Sequence, residues 1–208
     1  MTKNIVIDVF TDYVWPWCYL STVSIEKLKA NYPVDIRWIH FPLHPETPVE
    51  GKSLAELFAG RDITPIKQRL QGLMKAAGLP YGDRTHTYNS RLAQELGKWA
   101  DTQKGGAVIH DKLYMAYFVD NVNIADIDEL VKIAESAGLD AAIARDVVEN
   151  RNFKDQVDAD WQHSREIGVT GVPTFYANDL IVVGCQPYET LEKFVRHLLE
   201  LNTNEGAE

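Results

Sequence analysis

Sulfur chemistry in this 208-residue chain rests on two thiols, Cys18 and Cys185. Two cysteines are too few for a disulfide-stapled scaffold and too few for a cysteine-only zinc site. Cys18 follows Pro16 and Trp17 at the start of a run with helical apolar spacing. A thiol in the first turn of a helix meets unsatisfied backbone amides and the positive end of the peptide dipoles, and both favour thiolate. One reading is therefore a single nucleophilic sulfur with a lowered pKa. The other is a small hydrophobe packed under the helix start, because free cysteine is among the most buried residue types. Cys185 stands in Gly184-Cys185-Gln186-Pro187, after the last strand-like run. It can serve as a second thiol for Cys18 only if the two Cα atoms come within roughly 7 Å; the plainer reading is a small side chain filling a turn.

Trp15, Trp17 and Tyr19 surround Cys18 in sequence. They form either a flat apolar slot for an aromatic molecule or a wall that blocks the path to sulfur. His40 and His44 bracket the loop after the second strand-like run, where an imidazole could move a proton near neutral pH or simply satisfy local hydrogen bonds. His86, His110, His163 and His197 lack ligand spacing, so no metal site is read.

The elements that must position these residues begin with a β-α-β unit. Residues 5–10 form a short apolar strand interrupted by Asp8, residues 16–30 a helix, and residues 34–41 a second strand. Pro16 suits the first helical position, where its missing N–H is not needed. Two strands joined by such a helix pair in parallel with a right-handed crossover. Pro42, Pro45 and Pro48 then forbid a regular element up to Gly51. About a hundred residues with helical periodicity follow, broken at Gly78, Gly105-Gly106 and Gly138. Asp126 and Glu129 have capping-box spacing, Asn89 or Ser90 can cap the helix that follows them, and the acidic run from Asp155 to Asp160 reads as a solvated face. Strand character returns at residues 174–177 and 180–183 around the turn Asn178-Asp179. A last helix covers residues 187–199, before a polar tail from Asn202 that is expected to fray.

Two separate pairs of strands are each marginal, so the insertion must return the chain to one mixed sheet. That arrangement is a thioredoxin fold of α/β class, with a large all-helical insertion between the second and third strands. Residues 1–51 and 161–208 build the thioredoxin-like domain and residues 52–160 the inserted one. Hydrophobic residues make up 45% of the chain and charged residues 25%, enough for a substantial core. The formal charge of −9 argues against a nucleic-acid surface or an anionic membrane as partner. No apolar run approaches the roughly 20 residues of a membrane span. Met1-Thr2-Lys3-Asn4 leads straight into the first strand without the pattern of a signal peptide, and a cytoplasmic location is expected.

At Asp12-Tyr13-Val14-Trp15-Pro16-Trp17-Cys18-Tyr19-Leu20 the sequence resembles the DsbA-like thiol-disulfide oxidoreductases, particularly the FrnE-like and 2-hydroxychromene-2-carboxylate isomerase-like branch. The resemblance continues through His40-Phe41-Pro42-Leu43-His44-Pro45, Asn89-Ser90-Arg91-Leu92-Ala93 and Gly168-Val169-Thr170-Gly171-Val172-Pro173-Thr174-Phe175, and spans nearly the whole chain. Redox-active members have Cys-Pro-Trp-Cys where this chain has Trp15-Pro16-Trp17-Cys18. Indole neither ionises nor stores a disulfide, so a dithiol cycle within this motif is impossible, and Cys18 stands in the resolving position. Isomerase relatives place a serine at the position of Trp15, and that hydroxyl is absent too; Tyr13 and Thr11 are the nearest replacements.

The resemblance also implies a cis peptide before Pro173, whose preceding residue Val172 offers an edge for glutathione or an extended peptide. Three functions follow. The first is single-thiol exchange on glutathione or protein mixed disulfides through Cys18. The second is a glutathione-dependent isomerase or transferase, with an aromatic substrate on Trp15 and Trp17. The third is a redox-inactive peptide or small-molecule binder. No tightly bound cofactor is expected, glutathione is the candidate co-substrate, and the assembly is a monomer or homodimer.

Overall fold

The computed structural model describes residues 4–205; residues 1–3 and 206–208, with the end of the polar tail expected to fray, lie outside the description. β1 (Ile5–Thr11) runs through the middle of a four-stranded sheet. α1 (Pro16–Asn31) carries the chain over to β2 (Val34–His40), which lies parallel to β1 in register from Ile5↔Val34 to Thr11↔His40. The alternation of β1 explains its single charge. Ile5, Ile7 and Val9 point to one apolar layer, while Asp8 points to the opposite face. There it accepts from Arg37 Nε at 2.5 Å and Nη2 at 2.6 Å, and His163 lies 3.6 Å away.

The insertion opens with β3 (Lys52–Ser53), α2 (Leu54–Leu57) and α3 (Thr64–Ala76). It continues with β4 (His86–Thr87), α4 (Arg91–Ala100), α5 (Val108–Phe118), α6 (Ile127–Ser136), α7 (Ala141–Glu149) and α8 (Lys154–Ile167). It is helical except for one antiparallel contact, Lys52↔Thr87 and Ser53↔His86. The contact depends on Gly51, at φ 81°, where a Cβ would lie 2.6 Å from the carbonyl oxygen of Thr87. Ser53 then caps α2 in a reciprocal capping box with Glu56. Asp126 caps α6, and Asn89 Oδ1 accepts from Arg91 N at the start of α4. α8 is unbroken across residue 161, where the sequence places the return to the sheet domain. Its acidic run is only partly solvated: Asp160 is buried, accepts from His40 N at 2.9 Å and pairs with Lys98 at 2.9 Å.

β5 (Thr174–Ala177) pairs antiparallel with β1, Val9 opposite Phe175, and β6 (Leu180–Val183) closes the order β2-β1-β5-β6. Asn178 and Asp179 adopt φ 48° and 60°, the left-handed pair that a two-residue hairpin needs. α9 (Tyr188–Glu205) then covers the sheet beside α1, burying Leu191, Val195 and Leu198 against Ile7, Ile25 and Phe175. On the other side Phe10, Tyr13, Cys18, Tyr19 and Ile39 share one apolar cluster with Leu96, Trp99, Leu113 and Tyr117 of the inserted helices. The insertion therefore packs directly on the amino end of α1.

The tightest point of that packing is Gly97 in α4, where a Cβ would lie 2.4 Å from the Tyr13 hydroxyl and 3.3 Å from His40 Nε2. Helix propensity alone makes alanine better than glycine by about 1 kcal/mol. Overpacking outweighs it here: Gly97→Ala is expected to destabilise the protein by about 1–3 kcal/mol, read as a lowered urea midpoint. An unchanged or raised midpoint would show that α4 is free to shift away from Tyr13.

Candidate functional site

The site is assembled at the amino end of α1. The turn from Asp12 to Trp15 is closed by Trp15 N donating to Asp12 O at 3.1 Å. The Asp12 carboxylate accepts from Val14 N and Leu43 N, both at 3.2 Å, and so ties the helix start to the loop after β2. Burial raises the Asp12 pKa to about 6, against hydrogen bonds from Ser90, Val14 and Leu43 that favour its charge. Trp15 occupies the cap position without a side-chain cap bond, and Pro16 follows it in the first turn.

Cys18 lies in that turn and is 2% exposed. Its thiol pKa is pushed up from 9.0 to about 12 by burial, against smaller stabilisation of the thiolate by the Thr11 side chain and the Asp12 amide. The expected lowering at a helix start is overturned, and magnitudes say why. The rise corresponds to about 4 kcal/mol at roughly 1.4 kcal/mol per pH unit, whereas a helix terminus supplies about 0.3–2 kcal/mol. Desolvation wins.

Cys185 is half-buried, and its thiol pKa is also raised by burial, with the Ser21 hydroxyl opposing. The hairpin brings it alongside the proline turn, Gly184 N donating to Pro173 O at 2.7 Å. Both thiols are free. The Val172–Pro173 peptide is cis and both residues are buried. Neither the amide nor the carbonyl of Val172 has a hydrogen-bond partner among the described residues.

Tyr13 packs in the core. It is fully buried, its hydroxyl 2.6 Å from His110 Nδ1, and His110 Nε2 is 2.8 Å from Asp101 Oδ1. Burial also holds the Tyr13 hydroxyl well above its ordinary pKa. Thr11 is likewise engaged, its Oγ1 2.6 Å from the Tyr114 hydroxyl. Both hydroxyls are thus engaged within the core. His40 is fully buried with neither ring nitrogen hydrogen-bonded, and burial with Lys98 nearby pushes its pKa well down, so it is neutral. Asn89 ties loops together, donating to Thr47 O at 2.8 Å and Pro45 O at 3.2 Å. Among the described residues no group of three or more His, Cys, Asp and Glu could hold a metal ion.

Trp15 and Trp17 do face a cavity. It has a volume of about 250 Å³ and lies between the helix start and the first part of the insertion. Val14, Trp15, Pro16 and Trp17 form one wall; Leu54, Leu57 and Phe58 with Ile63, Ile66 and Leu70 form the other. Tyr81, Gly82 and Thr87 close it, and His44, Lys67 and Arg84 complete the lining. Both indoles thus line open space on the side of the insertion, while the thiol stays covered. Sequence reasoning missed the second wall because its residues carry no chemistry. One signal was present: Ile63, Ile66 and Leu70 follow helical spacing, yet Ile66 is left 60% exposed and Leu57 44%.

The DSBA-like thioredoxin domain matches residues 6–196. The chain belongs to that family. A relative from Bacillus subtilis strain 168, uncharacterized protein YwbO, is 28% identical over 198 residues, covering 91% of this chain and 94% of the relative. The probable DsbA oxidoreductase SCO1869 of Streptomyces coelicolor superposes with a TM-score of 0.86 at 26% identity, over 93% of this chain and 89% of that one. A 2-hydroxychromene-2-carboxylate isomerase superposes at 0.74 with 19% identity, over 96% and 98%, a likeness of fold. The DSBA-like fold supports oxidoreductase activity, and this member holds its two cysteines apart, with no Cys-x-x-Cys pair.

Two outcomes follow from these pKa shifts. With a thiol pKa of about 12, only on the order of one Cys18 in ten thousand is thiolate at pH 8. A Cys185→Ser variant should therefore resist Ellman's reagent until unfolded, and a fast native reaction would contradict the burial. Asp12 has its folded pKa, about 6, above an ordinary 3.8, so its contribution to stability is full below about pH 3.8 and lost as pH rises through 6. The stability of Asp12→Asn relative to wild type should accordingly rise by about 3 kcal/mol between pH 3 and pH 7 in urea unfolding; a flat difference would show that Asp12 keeps its ordinary pKa.

Proposed function

We propose that the protein binds a small apolar molecule at the amino end of α1 and acts on it as an isomerase- or transferase-type enzyme, with glutathione as the sulfur-bearing co-substrate. The observation that carries this reading is the apolar cavity against Trp15 and Trp17, set beside a Cys18 that is buried and protonated. A nucleophile needs thiolate and a path to its target. Cys18 has neither, so single-thiol exchange is the weaker account. Glutathione fits along Val172, whose free amide and carbonyl can pair with an extended peptide backbone in the manner of an added strand. In this reading Cys18 packs the helix start, and Trp15 and Trp17 supply the flat surface on which the substrate rests. A cytoplasmic location agrees with a glutathione-dependent role.

The test pairs binding with exchange. A neutral aromatic probe, 2-naphthol, should bind with a micromolar dissociation constant in tryptophan fluorescence, and Leu70→Trp, which fills the cavity, should weaken it about tenfold. In the same preparation, glutathione with bis(2-hydroxyethyl) disulfide should turn over no faster than without protein. No binding of 2-naphthol would remove the reading. Exchange that Cys18→Ser abolishes would put single-thiol chemistry in its place.

A further inference from the structure

We propose that His44 is the acid–base residue of this cavity: its imidazole takes a proton from the apolar molecule seated there and returns it at another position. This rests on the cavity being the site of an isomerase-type reaction and adds the residue that moves the proton. Such a step needs a group that both gains and loses a proton near neutral pH and stands against the substrate. The apolar walls described above supply none.

The polar remainder of the lining leaves a single choice. Arg84 Nη1 donates to the Tyr117 hydroxyl, and a guanidinium does not give up its proton in a protein. Lys67 is ion-paired with Asp83, and an ammonium stays protonated throughout the neutral range. The Thr87 hydroxyl is 3.1 Å from the Tyr117 hydroxyl, and a threonine does not ionise. Burial raises the Tyr81 phenol above its ordinary value, further from neutrality. An imidazole is what remains, the side chain whose charge changes between about pH 5 and 8.

The setting of His44 suits the task. It stands on the loop between β2 and β3 and lines the cavity together with the two indoles. Its side chain is 41% exposed, so the ring meets solvent as well as the cavity and can exchange its proton with water. Neither ring nitrogen makes a hydrogen bond among the described residues. A Glu46 oxygen lies 3.7 Å from Nδ1, too long for a hydrogen bond and close enough to steady an imidazolium. Asp12, in the turn before α1, is a second carboxyl within electrostatic reach. Lys67 of α3 and Arg84, ahead of β4, line the same cavity and oppose the two carboxylates. In the step itself a C–H bond breaks as the imidazole N–H forms, and the electron pair stays on the substrate. Return of the proton at a second carbon completes the shift, with no oxidant or reductant.

The experiment uses 5-nitrobenzisoxazole, a neutral aromatic whose ring opening needs only a base. Loss of its C–H proton forms a nitrile and expels a coloured phenolate as the N–O bond breaks. Wild type should open it with saturation kinetics that 2-naphthol blocks, and kcat/KM should climb between about pH 5 and 8 as the imidazole loses its proton. His44→Gln should lower kcat about a hundredfold while binding of 2-naphthol stays within about threefold. His44→Glu puts another base at the same position, and turnover should persist with its rise moved below about pH 5. Turnover that survives His44→Gln, a rise left unmoved in His44→Glu, or 2-naphthol bound to wild type without turnover overturns the assignment and leaves the apolar site standing. Failure of 2-naphthol to bind removes the underlying site as well.

Discussion

Desolvation at the amino end of α1 is the constraint on which the rest of this structure turns. The inserted helices close over Tyr13, Cys18 and Tyr19 and make them part of one apolar cluster with Leu96, Leu113 and Tyr117. A charge placed there is penalised whatever its sign. The penalty raises the Cys18 thiol and the Asp12 carboxyl and lowers the His40 imidazole, three shifts in the direction of neutrality from one cause. Here the same segment is a packed wall, and what it offers outward is indole.

The insertion does two jobs through one set of contacts. Its later helices, α4 and α5, seal the thiol side of the helix start, with Gly97 allowing α4 to pass close to Tyr13. Its early helices, α2 and α3, stand off from the same helix start and leave the cavity against Trp15 and Trp17. The pairing Lys52↔Thr87 and Ser53↔His86 ties both ends of that early segment together and brings Thr87 to the cavity wall, with Arg84 just ahead of it.

Much of the fold was legible in the amino-acid pattern, because it follows from local rules. The parallel β1–β2 pair shows in two apolar runs around a Pro16-initiated helix, and the β5–β6 hairpin in Asn178-Asp179. The β3–β4 contact was not legible: two polar residues on each side carry no alternation, and its cause is a close approach at Gly51. The site was half legible. Trp15 and Trp17 stood out by type, but the thiol pKa depends on helices some eighty to a hundred positions away in sequence. A local motif reads the helix dipole and cannot read the desolvation that outweighs it. Asp160 repeats the lesson, since an acidic run that looks solvated contributes one carboxylate to the core, where it holds His40 N and Lys98.

The central claim is that this helix start has left sulfur chemistry for apolar binding, and its most direct test is the ionisation of Cys18 itself. Thiolate absorbance near 240 nm, followed against pH in folded Cys185→Ser protein, reads that ionisation without any reagent having to reach the sulfur. The account predicts no thiolate signal below about pH 10, with ionisation appearing only as the pKa of about 12 is approached or the fold is lost. A native transition at or below pH 8 would contradict it and return Cys18 to the role of nucleophile.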